Sequence, residues 1–130
     1  MEYTLDCSLA KEIAATLDTF TRAYIEAAFW TMTDEDGHSL DYLGLHDLSS
    51  AALASMRTDC ADFQAAHAGL IASDLSRAGV DFWLTRNHHG AGFWDGDWPG
   101  ESGHILTAAA HAYGPSDLYV GDDQMVHVYP

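Results

Sequence analysis

Histidine and aspartate crowd one stretch of the chain, Asn87-His88-His89-Gly90-Ala91-Gly92-Phe93-Trp94-Asp95-Gly96-Asp97-Trp98, and His104 and His111 follow it seven residues apart, on one face if helical. Imidazole and carboxylate groups are ligands for transition metals, so His88, His89, Asp95 and His104, with Asp97 beside them, form a candidate ligand set. The spacing speaks against it. There is no His-Glu-x-x-His pair and no paired Cys-x-x-Cys, and adjacent histidines in an extended chain point to opposite faces. The expectation is therefore no metal and no cofactor, with a metal-dependent enzyme or metal-binding module in the 88–104 region as the alternative.

Other chemistry is weaker still. Asp34-Glu35-Asp36-Gly37 offers oxygen ligands around a glycine, but aligning Gly37 with the glycine of a calcium loop puts Met32 at the first ligand and Leu43 at the bidentate carboxylate. Asp122-Asp123 fits a hairpin turn better than a catalytic dyad. Cys60 falls on an apolar stripe and reads as core, while Cys7 has no visible activating partner. A Gly-x-Ser-x-Gly elbow is missing, and Gly90-Ala91-Gly92 departs from phosphate-cradling loops. Binding is thus a better expectation than catalysis.

The elements that must position these groups follow from periodicity. Leu9, Ile13, Leu17, Phe20, Tyr24, Ile25, Ala28 and Phe29 recur at helical steps and predict a helix from Ser8, capped by Ser8 or Asp6, to about Met32. A loop then runs through Leu45. A second helix is expected from Ser49 to Leu75, with Leu53, Met56, Cys60, Phe63, Ala66, Leu70 and Ile71 as its stripe and Gly69 as a bend. Val80-Asp81-Phe82-Trp83-Leu84-Thr85-Arg86 has strand composition, with Asn87 to Gly90 as a turn and Gly90 to Trp94 as the antiparallel return. After the Gly- and Pro-dense 95–100 loop, a short helix spans Glu101 or Ser102 to about Tyr113, and Leu118-Tyr119-Val120 pairs with Met125 to Tyr129 as a hairpin. The order ααββαββ predicts one α+β domain over residues 1–130: two N-terminal helices, then ββαββ forming an antiparallel sheet of about four strands packed on helices.

Charge bounds the partners. The 130 residues hold 20 Asp or Glu against 5 Lys or Arg, a formal net charge of −15. The cations Lys11, Arg22, Arg57, Arg77 and Arg86 are scattered, so no basic stripe can displace counterions from a phosphate backbone. Direct nucleic-acid binding and attachment to an anionic membrane are disfavoured. No apolar run approaches the roughly 20 residues of a membrane span, and the N-terminus lacks the marks of a signal peptide, which suits a cytosolic protein with two reduced thiols. Hydrophobic residues at 48% suffice for one core. If one face of the expected sheet is uncovered, Trp83 and Trp94 would form an apolar patch, the basis of a homodimer or homo-oligomeric structural module.

The segments from Asp81 to Asp95, Leu106 to Ala110 and Leu118 to Asp123, with Tyr24 to Trp30 and Asp59 to Phe63, resemble a group of small acidic proteins encoded in tailed bacteriophages and prophages. The chain departs from that group at His89, where a shorter polar or small residue is usual, and in a shorter passage before Asp81. The resemblance supplies no catalytic residues. It implies a viral accessory protein of the host bacterial cytoplasm that binds and inhibits a host protein complex, as an anti-CRISPR or other anti-defence protein acting as an acidic nucleic-acid mimic. The partner would be a basic host protein or nucleoprotein complex, since a negative domain is steered to positive surfaces. The expected contact residues are Asp34, Glu35, Asp36, Asp41 and Asp47 in one loop, Asp95 and Asp97 with Trp94 and Trp98 in a second, and Asp122 and Asp123 in a third.

Overall fold

A computed structural model describes residues 13–34 and 36–129. The expected start of the first helix, with Asp6, Cys7 and Ser8, and the side chain of Glu35 lie outside the described residues. Within them the chain is mostly helical. Its only sheet has two strands, so the expected four-stranded antiparallel sheet of an α+β domain does not form.

The first long helix, α1, spans Thr19–Thr31. Asp18 caps it, its carboxylate accepting the Thr21 N–H at 2.7 Å, so the continuous periodicity seen in sequence is broken at residues 17–18 by a local cap. After two single-turn 3₁₀ helices at Leu40–Tyr42 and Leu45–Asp47, α2 runs over Ser50–Ile71. Ser49 caps it through a 3.0 Å bond from the Ala52 N–H. Its buried stripe is Ala52, Met56, Cys60, Phe63 and Ile71, and its helical dihedrals lapse at His67 rather than at Gly69.

The main correction comes next. Asp74 accepts the Arg77 N–H at 3.1 Å and opens a new helix, α3, over Leu75–Arg86, where a strand was expected. Every residue from Asp81 to Arg86 is buried. A helix enclosed on nearly all sides has no polar face to betray a 3.6-residue period, and its aromatic and β-branched content then imitates a strand. Nor is residues 87–90 a hairpin turn. The His89 N–H bonds the Leu84 carbonyl at 3.0 Å and the His88 N–H bonds that of Thr85 at 3.1 Å, with His88 at φ 58°. That pair of bonds is a Schellman stop, with His88 in the left-handed position usually given to glycine. The expected return strand at Gly90 to Trp94 is irregular chain, tied down where the Phe93 N–H bonds Thr85 Oγ1 at 3.0 Å.

The fourth helix, α4, spans Ser102–Ala112 and buries Gly103, Leu106 and Ala110. The hairpin expected at the C-terminal end is present: β1, Leu118–Val120, pairs antiparallel with β2, Val126–Val128, in the register Leu118 to Val128 and Val120 to Val126.

Aromatic rings from α1, α2 and α3 meet in the core. Phe63 of α2 stacks on Phe82 of α3 with centroids 4.2 Å apart, and Tyr24 of α1 meets Trp83 edge-on at 5.3 Å. Each such ring contributes roughly 1.5–3 kcal/mol by burial. α1 and α3 approach closely enough that a Cβ on Gly79 would stand 2.1 Å from the Phe20 carbonyl oxygen, so only glycine permits this crossing. The polar tie is Arg86. Its guanidinium donates to Asp59 at 2.9 Å, to the Tyr24 hydroxyl at 3.0 Å and to the carbonyls of Gly114 and Tyr113 at 2.9 and 3.3 Å. A buried arginine is tolerated because its fork of donors is satisfied from several elements.

Candidate functional site: an acidic cleft

The histidine-rich stretch is dispersed by the fold. His88 stacks on His111 with ring centroids 4.5 Å apart. His104 is exposed on α4, and Asp95 receives the Gly92 N–H at 3.3 Å within its own loop. Among the described residues, the one group of three acidic or histidine side chains whose ligand atoms lie within 4.8 Å of each other is Asp34, Asp36 and His38, which includes none of His88, His89, Asp95 and His104. Cys60 is fully buried, and burial pushes its thiol pKa well up, so it stays a protonated core side chain.

The loop after α1 is organised by Asp34. One carboxylate oxygen accepts the backbone N–H groups of Asp36 at 2.9 Å and His38 at 3.0 Å; the other accepts the Tyr42 hydroxyl at 3.1 Å. The His38 backbone bond, followed by those of Tyr42 and Asp36, outweighs partial desolvation and holds the Asp34 carboxyl below the usual carboxylate range. Gly37, at φ 84°, makes the turn. Asp34 therefore stays ionised while shaping the loop.

This loop faces the hairpin across a cleft of about 680 Å³. One wall carries Asp34, Asp36 and Tyr42; the other carries Asp117, β1, Asp122 and Tyr129. No Lys or Arg lines it. Four carboxylates, from segments about eighty positions apart in sequence, thus share one concave surface. Tyrosine hydroxyphenyl groups among them are exposed: Tyr42 is 62% accessible and Tyr129 is 55%.

The expected contact residues divide accordingly. Asp34, Asp36 and Asp122 line the cleft. Asp123 turns away to its neighbour, both carboxylate oxygens lying 3.0 Å from His127 Nε2, and that contact, then the Met125 N–H, lowers its pKa. Asp47 is spent inside its own segment, accepting the Gly44 N–H at 2.7 Å, and Asp41 is exposed outside the cleft. Asp95 and Asp97 belong to another loop, where Asp97 pairs with Arg77 at 2.8 Å. Trp94 is half exposed, but Trp98 and Trp83 are buried, so the aromatic sheet face expected to support a homodimer does not exist. Trp98 Nε1 donates to Asp81 at 2.8 Å and Trp83 Nε1 to Thr31 at 2.7 Å, bonds that fix each indole inside the core.

Sequence reasoning missed Asp117, Tyr42, Tyr119 and Tyr129. A signal for two of them existed. Leu118, Val120, Val126 and Val128 alternate with Tyr119, His127 and Tyr129, which marks the latter as the outward face of the hairpin. Tyr119 stacks on His127 at 5.2 Å and meets Tyr129 at 4.6 Å.

Compared with known proteins, the chain matches no family model, no curated protein and no solved structure. Among the described residues no helix is long and apolar enough to cross a membrane.

Proposed function

We propose that this chain is a phage-encoded accessory protein that binds a basic host protein or nucleoprotein complex through its carboxylates and competes there with nucleic acid, in an anti-CRISPR or other anti-defence role. The observation that carries this reading is the cleft itself: Asp34, Asp36, Asp117 and Asp122 converge from separate segments on a surface that no Lys or Arg lines. A net charge of −15 reinforces it, because the whole domain steers toward positive surfaces while repelling a polyanion. The contact is non-covalent, with carboxylates standing in for phosphates as partners of Arg and Lys. Asp34 supplies a fixed anion, and its backbone bonds preorganise the wall it stands on.

The test is capture on the immobilised protein from host lysate, followed by competition. The expected outcome is a nucleic-acid-binding complex that releases as salt rises and is displaced by duplex DNA. A captured complex that DNA fails to displace would overturn the competitive mechanism.

A further inference from the structure

The outer edge of β1 is open, and it opens into the acidic cleft. The Tyr129 N–H bonds the Asp117 carbonyl at 3.1 Å and the Gly121 N–H bonds that of Met125 at 2.8 Å. These bonds set the alternation of the ladder: Tyr119 faces β2 with its backbone groups, and Leu118 and Val120 turn theirs away. On the far side of β2 the Val126 carbonyl is engaged, accepting the Ser49 N–H at 2.9 Å. On the β1 side the Leu118 N–H is taken by Asp117 Oδ1 at 2.9 Å. Among the described residues, nothing takes the Leu118 carbonyl or either backbone group of Val120. All three residues of β1 line the cleft and none of β2 does, so the cleft runs alongside this strand and its free edge.

We propose that the cleft receives an extended segment of a partner protein bearing Arg or Lys, which adds to β1 as a third strand. One residue of that segment exchanges both backbone bonds with Val120, the usual unit of strand addition. Its basic side chains reach Asp34 and Asp36 on one wall and Asp117 and Asp122 on the other, with their aliphatic stems against Tyr42 and Tyr129. Charge decides the occupant. A second copy of β1 at this edge would bring a second Asp117 and Asp122 against the first, and like charges across a strand pair are unfavourable. A basic strand does not meet this obstacle. The inference rests on the reading of a basic partner and adds how that partner is held.

The test uses a short peptide of alternating Arg and Val, its analogue with the central backbone nitrogens methylated, and its analogue with Glu for Arg, each titrated against the full chain by fluorescence anisotropy. Asp36→Lys/Asp122→Lys alters the cleft at exposed side chains that make no hydrogen bond among the described residues, and Glu26→Lys/Glu101→Lys makes the same charge change elsewhere. The expected result is binding of the parent peptide, a loss of about tenfold or more on methylation or in the cleft variant, no binding of the Glu analogue, and a change within about twofold in the control variant. Equal binding of the methylated peptide, or equal weakening in both variants, would overturn strand addition and leave a general electrostatic contact. Failure of the parent peptide and of polyarginine alike to bind would overturn the basic-partner reading as well.

Discussion

Asp81 is a carboxyl group enclosed beneath the loop that follows α3, and its surroundings oppose its charge. Burial is the largest influence; the Trp98 bond offsets part of it, and Asp95 and Asp97 add repulsion against the attraction of Arg77. Its pKa is raised from 3.8 to about 6. The folded state therefore holds this proton more firmly than the unfolded chain does. Its contribution to stability is fully present below the unfolded value and is lost as pH rises through about 6, so at neutral pH the ionised group is a liability of roughly 3 kcal/mol. Asp81→Asn keeps an acceptor for Trp98 and removes the charge. Urea denaturation is expected to show the variant more stable than the parent at about pH 7, by up to roughly 3 kcal/mol, with the difference shrinking to about 0.5 kcal/mol near pH 4. An unchanged difference at the two pH values would refute this account of the site.

α3 shows what a sequence reveals about an element and what it conceals. His88 stands at φ 58°, in a position where a side chain costs roughly 1 kcal/mol relative to glycine, partly offset by its stacking on His111. His88→Gly is expected to raise the midpoint of thermal unfolding and to add up to about 1 kcal/mol. A lower midpoint would mean that the imidazole stack outweighs the backbone. The helices α1, α2 and α4 were legible because each keeps a solvent face, so that apolar residues such as Met56, Cys60 and Phe63 repeat at helical spacing. The hairpin was legible for the matching reason, alternation. α3 was not, because its neighbours enclose Asp81 to Arg86 on every side and the signal of Asp74 as a cap was absorbed into the helix before it. A strand in place of α3 demands an antiparallel partner, and the aromatic 90–94 segment beyond the glycine turn has the composition of one.

For the whole molecule, charge was legible in number and only partly in place. Three acidic loops can be named, but Asp123 and Asp47 are taken up by local donors, and Asp97 finds Arg77, while Asp117 joins Asp34, Asp36 and Asp122. Which carboxylates share a surface is decided by the tertiary fold, and no spacing in the chain encodes it. Among the described residues the cations are occupied in their turn: Arg22 lies 3.9 Å from Glu26, Arg77 pairs with Asp97, and Arg86 is buried. Arg86 has a consequence in time as well as in energy. Its acceptors stand 27, 28 and 62 residues away along the chain, so they assemble around it only after the helices have docked. Such a group belongs to the native side of the folding barrier, and its weight falls on the rate of escape. Arg86→Met is expected to speed unfolding at least about tenfold in stopped-flow measurements while leaving the folding rate nearly unchanged; an equal fall in the folding rate would place the hub in the nucleus instead. The one guanidinium drawn inward thus acts as a latch, setting how long a molecule stays folded once it has closed.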